Sequence, residues 1–179
     1  GGHPFFYQDV FFFFSILYDN VWYRDVQLLY DEVGDFLILK DSLHYTKLIS
    51  QRIAGFSLLS NQFIRMEKES LSRSLINTGF YNLLYVGKVI VLKKEVKAIN
   101  EEAASSSEGL IRSIQISLYY YIKKNNEYFL IRNKKSLLAV FKDQKNEIQQ
   151  FIKSNDLSFR KDRDTMLIKV SAFYDQLIK

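Results

Sequence analysis

The fold is constrained most by residues 78–97, a stretch with the composition of a β-hairpin. It reads Thr-Gly-Phe-Tyr-Asn-Leu-Leu-Tyr-Val-Gly-Lys-Val-Ile-Val-Leu-Lys-Lys-Glu-Val-Lys. β-Branched and aromatic residues, which favour strands, flank the dipeptide Val86-Gly87 on both sides. Gly87 can adopt the positive φ angle that a tight hairpin turn demands. We therefore predict an antiparallel sheet with this hairpin near its middle.

Similar runs of strand-forming residues, separated by turn residues, occupy most of the chain up to residue 132. Before the central hairpin the candidate strands are 11–17, 21–30, 36–40, 44–50, 53–59 and 62–66. A second hairpin is predicted from 111–123 and 127–132. Its turn is Lys124-Asn125-Asn126, because Asn tolerates left-handed backbone angles.

Three segments between residues 11 and 109 carry expectations of their own. The almost continuously apolar run 11–17 suits a strand that is buried on both faces or packed under other elements. Residues 67–77 are expected to form a loop with at most one helical turn. The serine-rich run 100–109 is expected to be a surface loop.

From Lys135 onwards the hydrophobic period becomes that of a helix. Ser136 is expected to cap a short helix through Phe141, Asp143 to cap the next, and Asp162 or Asp164 to cap the last. The apolar faces of the second and third helices are Ile148, Phe151 and Ile152, and Leu167, Val170, Tyr174 and Leu177. The run Ser154-Asn155-Asp156 is expected to end the second helix.

These patterns predict an α+β fold. Residues 10–132 are expected to form an antiparallel meander or part-closed β-barrel of about eight strands. Residues 135–179 follow as two or three helices packed on that sheet, and the whole chain 1–179 is expected to be one domain.

The composition is that of a folded domain without cysteine chemistry. The 179 residues are 47% hydrophobic and 16% aromatic, far from the composition of disordered chains. No cysteine is present, which excludes disulfides, thiolate catalysis and Cys-ligated metal centres. The longest apolar run, residues 10–18, is interrupted by Ser15 and falls short of the roughly 20 residues that cross a bilayer, so no membrane span is expected.

The positive charge is concentrated in the second part of the chain. Residues 1–77 carry 7 Lys and Arg against 9 Asp and Glu, whereas residues 78–179 carry 18 against 11, a net +7. Such an excess favours an anionic partner or simply a well-solvated surface, and the second is the commoner cause.

Three segments give the chain a resemblance to a known group. They are Tyr-Arg-Asp-Val-Gln-Leu-Leu-Tyr-Asp at 23–31, Gly-Phe-Tyr-Asn-Leu-Leu-Tyr-Val-Gly-Lys-Val at 79–89 and Lys-Lys-Ser-Leu-Leu-Ala-Val-Phe-Lys-Asp-Gln-Lys-Asn-Glu-Ile at 134–148. With the closing Phe-Tyr-Asp-Gln-Leu at 173–177, the chain resembles an uncharacterised group of small exported proteins from Bacteroidetes. Their precursors typically start with a signal peptide. The resemblance implies a periplasmic or cell-surface location and supplies no catalytic residue.

Few residues point to catalysis or to a metal. His3 and His44 are the two histidines and are not placed to form a site together. The acidic run 31–35 could offer oxygen ligands to Ca²⁺, but it lacks the spacing of a dedicated loop, so turn chemistry explains it better. No phosphate-binding glycine loop or nucleophile elbow occurs. We therefore assign no catalytic residue, cofactor or metal and expect a non-enzymatic role.

The second hairpin carries the most suggestive surface. The runs Tyr119-Tyr120-Tyr121 and Tyr128-Phe129 lie on its opposite arms, and alternation sends Tyr120 to the opposite side from its neighbours. One side of the hairpin should be core. The other either displays aromatic rings among basic residues or is covered by the C-terminal helices, which is the alternative we favour. The candidate binding residues are Tyr119, Tyr121, Tyr128, Lys123, Arg132 and, from the basic group before the last helix, Arg160.

Three functions remain open from the sequence. The first is an exported protein that binds a protein, glycan or envelope component through its surface. The second is a carrier that holds an apolar ligand between a curved sheet and its helices. The third is a nucleic-acid binder that uses the basic C-terminal half, and an exported location would make this one unlikely.

Overall fold

A computed structural model describes residues 11–68, 76–103 and 109–179. These residues contain a ten-stranded antiparallel sheet, which is not closed, followed by three α-helices. The α+β meander is therefore confirmed, with ten strands instead of about eight. Parts of the two expected loops, 69–75 and 104–108, lie outside the described residues.

The strands follow one another closely along the chain. They are β1 (Phe12–Tyr18), β2 (Val21–Asp31), β3 (Phe36–Asp41), β4 (His44–Lys47), β5 (Ile53–Leu58), β6 (Asn61–Met66), β7 (Gly79–Val86), β8 (Ile90–Ala103), β9 (Leu110–Lys124) and β10 (Glu127–Ile131). The order across the sheet is β10-β9-β8-β7-β6-β5-β1-β2-β3-β4, so every pair of neighbours except β5 and β1 is consecutive in the chain. The 78–97 hairpin supplies the third and fourth strands from the β10 edge.

Two expectations about the strands are wrong. Of the two alternatives for β1, burial on both faces is wrong, because Phe14 and Ile16 are buried whereas Phe13, on the other face, is 61% exposed. β8 continues through Ala103 and so takes up residues 100–103 of the expected serine-rich loop. Pairing with a neighbouring strand overrides the polar composition there.

The turns of the two predicted hairpins, β7–β8 and β9–β10, differ in their backbone angles. In the turn between β9 and β10, Asn125 and Asn126 both have positive φ angles, 53° and 63°, as predicted. Gly87 does not supply the expected positive φ angle, since the positive-φ glycines of the described residues are Gly79 and Gly109. Its lack of a side chain serves instead to admit Asp175, because a Cβ atom at Gly87 would overlap the Asp175 carboxylate.

The helices are α1 (Lys134–Val140), α2 (Lys145–Ser154) and α3 (Arg163–Leu177). Asp162 caps α3 as predicted, and its Oδ1 accepts a hydrogen bond from the backbone N of Thr165 at 3.0 Å. The cap expected at Ser136 is wrong. Asn133 is the N-cap of α1, and its Oδ1 accepts from the backbone N of Ser136 at 2.9 Å in a capping box.

Asp143 does not cap α2 either. It lies in the 3₁₀ turn Lys142–Gln144 between α1 and α2, and α2 begins without a side-chain cap. The Asp143 carboxylate accepts from Lys124 Nζ at 2.9 Å and from Tyr174 Oη at 2.7 Å. Two distant partners therefore take the oxygens that a cap would need.

The chain divides into two compact units. Unit 1 comprises the described residues of Gly1–Arg65 and Glu95–Leu118, and unit 2 those of Met66–Lys94 and Tyr119–Lys179. Strands β8 and β9 contribute residues to both. A single domain over residues 1–179 stays a prediction.

Unit 1 has an aromatic core. The rings of Phe56 and Phe63 stack with centroids 4.7 Å apart, and Tyr30 meets them edge-on at 5.2 and 5.5 Å. Edge-to-face and offset-stacked rings stabilise a core beyond the area that they bury. A buried ion pair between Glu32 and Lys97, with 3.0 Å between Oε2 and Nζ, lies in the same unit.

Unit 2 has a core between its helices and one face of its strands. The buried members include Val91, Tyr120, Ile122 and Ile131 from strands and Leu137, Phe141, Ile148, Leu167, Val170 and Tyr174 from the helical region. The apolar stripes predicted for α2 and α3 are thus confirmed, with Phe151 and Leu177 half-buried.

Candidate functional site

The turn of the second hairpin has two residues, Asn125-Asn126, and not the three expected, because Lys124 pairs with Glu127. Lys123 pairs with Tyr128 and Tyr120 with Ile131. Tyr120 points into the helical core of unit 2, where its Oη donates to Asp164 Oδ1 at 2.5 Å. The predicted separation of Tyr120 from its neighbours is therefore confirmed.

On the other face of this hairpin the aromatic residues have different environments. Tyr119 is 42% exposed, whereas Tyr121 is 6% exposed and packs edge-on against Tyr81 with centroids 5.9 Å apart. Lys123 Nζ lies 5.5 Å from the centre of the Tyr128 ring. The helices cover the Tyr120 face, which is the core side. The expectation that they cover the opposite face is wrong at Tyr119, which is accessible there.

A groove in unit 2 lies along the exposed side of α1. Its volume is about 470 Å³, and Leu138 and Ala139 form an apolar floor. The residues around that floor are Lys134, Lys135, Lys142, Lys145 and Gln149. We call this the lysine groove.

The local sequence explains why four lysines meet there. The capping box begins α1 directly before Lys134, and Leu137, Val140 and Phe141 turn into the core. Lys134 and Lys135 must then lie on the solvent side of the helix. The 3₁₀ turn redirects the chain into α2, which places Lys145 beside the same groove.

A second groove, of about 390 Å³, lies between β10 and α1. Tyr128, Phe129, Leu130 and Val140 make it mainly apolar, with Arg132 and Ser136 as its polar members. We call this the aromatic groove. Ala139 lines both grooves, so they adjoin at α1.

The lysine groove has an uncompensated positive charge. Within the described part of the chain, no acidic group forms an ion pair with any of its four lysines. The nearest acid in sequence, Asp143, pairs with Lys124 instead. Burial alone would raise the pKa of Asp143, but the hydrogen bonds from Lys124 and Tyr174 outweigh it and lower that pKa. Asp143 is therefore ionised at neutral pH, with its charge directed to Lys124.

Tyrosine–aspartate hydrogen bonds fix α3, against which the groove-lining helix α2 packs. Besides the pair of Tyr120 and Asp164, Tyr85 Oη donates to Asp175 at 2.6 Å. Burial, reinforced by the hydrogen bond to Asp175, raises the pKa of Tyr85 to about 12. The phenol is thus protonated and able to donate throughout the physiological pH range.

The acidic turn after β2 is occupied by structural contacts. Asp31 Oδ1 accepts from the backbone N atoms of Val33 and Gly34 at 2.9 Å, and Asp35 Oδ1 accepts from Tyr30 Oη at 2.6 Å. In the described ranges, no group of three or more His, Cys, Asp or Glu residues is arranged to hold a metal ion. His44 is exposed at the start of β4, and His3 lies outside the described residues.

The structure brings together three of the six candidate binding residues. Tyr128 and Arg132 line the aromatic groove, with Lys123 against Tyr128. Tyr119, Tyr121 and Arg160 line neither groove.

The four groove lysines were not among the sequence candidates. The spacing of two of these lysines in the sequence nevertheless indicates a shared helix face. Lys135 and Lys142 are seven residues apart, which is two helical turns, and the residues between them include the buried Leu137 and Phe141.

Comparison of the chain with models of protein families, with curated proteins and with solved structures gave no match. The resemblance to exported Bacteroidetes proteins stays a prediction. Among the helices of the described residues, none combines the length and the apolar character needed to cross a membrane.

Proposed function

We propose that this protein is an exported, non-enzymatic binding protein that engages an anionic component of the cell envelope through the lysine groove. The observation that carries the proposal is the set of four exposed lysines around one apolar floor, without an acidic partner in the described residues. Like charges held close together repel one another, and an anionic partner would relieve that repulsion.

The charge of unit 2 supports the same proposal. Its sequence ranges carry 18 Lys and Arg against 9 Asp and Glu, a net +9, whereas those of unit 1 carry 7 against 11, a net −4. A field of one sign raises the local concentration of an oppositely charged partner and speeds its association. The lysine groove therefore lies on the unit whose net charge attracts anions.

The type of cation supports an extended partner. Lysine is a strongly hydrated point charge on a flexible stem, whereas arginine holds one carboxylate or phosphate in a fixed bidentate geometry. Four lysines suit several anionic groups spread over a surface. The export part of the proposal rests on the sequence resemblance.

Binding is tested with dextran sulfate as a soluble polyanion, titrated at several salt concentrations. We expect the triple variant Lys135→Gln/Lys142→Gln/Lys145→Gln to bind about tenfold more weakly than wild type, because three exposed ion pairs are lost. The matched control is Lys153→Gln/Lys169→Gln/Lys179→Gln, which removes equal charge from exposed lysines outside the groove. Equal losses in the two variants would mean that net charge, and not the groove, determines binding.

Export is tested by fractionating cells that express the natural full-length gene product. We expect the mature protein in the envelope or periplasmic fraction after removal of a signal peptide. A cytoplasmic product would refute the envelope part of the proposal and would favour the nucleic-acid alternative.

A further inference from the structure

The aromatic groove bears on the nature of the partner, because it lies next to the lysine groove. The two share Ala139 on α1, so a cationic site of about 470 Å³ adjoins a mainly apolar one of about 390 Å³. A ligand that spans both needs an anionic group beside an apolar group. That combination is the chemistry of an amphiphile.

The residues of the aromatic groove are of the kinds that enter a membrane interface. Tyr128, Phe129 and Leu130 are each half-buried on β10, which is an edge strand of the sheet. Tyrosine is enriched at the boundary between headgroups and acyl chains because it has an apolar ring and a polar hydroxyl. Lys123, whose Nζ lies 5.5 Å from the centre of the Tyr128 ring, adds a cation beside this ring.

We infer that the partner is the surface of an anionic phospholipid membrane, with headgroup phosphates at the lysine groove and Tyr128 at the level below the headgroups. The inference rests on the proposed function, since it names the component that the lysine groove binds. Attraction between basic residues and an anionic bilayer supplies about a fivefold gain in partitioning per lysine. The aromatic groove adds an apolar contribution to the free energy of binding, which a soluble anion without an apolar part would not gain.

The geometry favours a lipid surface over a nucleic acid. Sequence-tolerant binding of single strands uses exposed ring faces on which bases stack. Phe129 packs against the core of unit 2, and Lys123 Nζ lies over one face of the Tyr128 ring, so the groove does not display the two neighbouring open ring faces that successive stacked bases would need. Tyr119, the exposed ring of that hairpin, lines neither groove.

The test is co-sedimentation with vesicles of phosphatidylcholine alone or mixed with phosphatidylglycerol. We expect binding to the mixed vesicles and little to the neutral ones. The groove variant Lys135→Gln/Lys142→Gln/Lys145→Gln should lower partitioning by roughly 100-fold, which is about fivefold for each lysine. The control variant Lys153→Gln/Lys169→Gln/Lys179→Gln should lower it much less.

A second pair of variants tests the apolar contact. Tyr128→Ala should weaken binding to mixed vesicles about fivefold and leave binding of inorganic polyphosphate unchanged, because polyphosphate has no apolar part. Tyr45→Ala is the matched control, since Tyr45 lies on the opposite edge strand β4 and is 62% exposed. Thermal unfolding of each variant shows that it is folded.

Several outcomes would overturn the inference without refuting the proposed function. One is binding of dextran sulfate or a single-stranded oligonucleotide through the groove lysines without vesicle binding. Another is complete inhibition of vesicle binding by glycerol phosphate. The third is a Tyr128→Ala variant that binds mixed vesicles as tightly as wild type. If neither vesicles nor dextran sulfate distinguishes the groove variant from its control, the inference and the proposed function both fail.

Discussion

Asp175 in α3 holds the turn between β7 and β8 by hydrogen bonds. Its Oδ2 accepts from Tyr85 Oη at 2.6 Å and from the backbone N of Lys88 at 2.9 Å. A Cβ atom on Gly87 would overlap this oxygen and the Tyr85 side chain. A side chain at position 87 would therefore displace the Asp175 carboxylate from these hydrogen bonds. The sequence around Gly87 predicts a turn at this glycine but does not predict its contact with Asp175, because Asp175 lies far along the chain in the last helix.

We expect Gly87→Ala to lower the free energy of unfolding by about 1–3 kcal/mol, because the added methyl group forces a packed contact apart. Urea denaturation measures this as a lower midpoint at constant slope. In the double variant Gly87→Ala/Asp175→Ala the obstructing carboxylate is gone, so the combined loss should be smaller than the sum of the single losses. Additive losses, or a Gly87→Ala variant as stable as wild type, would contradict this explanation.

Among the elements, α1 determines the candidate site, because both grooves lie against it. Asn133 and Ser136 satisfy each other's backbone N–H groups at its start. The helix is short, from Lys134 to Val140, so its first turn carries two of the four groove lysines. Short helices depend strongly on their caps and on tertiary packing.

We expect Asn133→Ala to lower the free energy of unfolding by about 1 kcal/mol, because α1 loses its N-cap acceptor. Chemical denaturation monitored by circular dichroism measures the loss. Asn146→Ala, at an exposed position in α2, is the matched control and should change stability by less than about 0.5 kcal/mol. Equal effects of the two substitutions would mean that the capping box does not stabilise α1.

The sequence predicts local features of these elements better than distant ones. Alternation, the Asn125-Asn126 turn and the stripe of α3 depend on neighbouring residues, and all three are confirmed. The prediction that Asp143 caps α2 is wrong because the hydrogen-bond partners of its carboxylate, Lys124 and Tyr174, come from β9 and α3. The local sequence does not predict the lysine groove either, because the shape of the groove depends on how the turn at Asp143 joins α1 to α2.

For the whole molecule, the most informative property is the unequal charge of the two units. Division at residue 77 gives net charges of −2 and +7, whereas division by the compact units gives −4 and +9. The difference arises because residues 95–118 are acidic and belong with unit 1. The sequence alone indicates a basic second half, but the fold is needed to group those residues correctly.

Lysine footprinting tests most directly whether the lysine groove is the contact surface. Acetylation of the free protein and of the protein with dextran sulfate is compared residue by residue by mass spectrometry. We predict that Lys135, Lys142 and Lys145 lose reactivity when dextran sulfate is bound, whereas Lys153 and Lys169, exposed outside the groove, keep theirs. Uniform protection of all exposed lysines, or protection that spares the groove, would contradict the account.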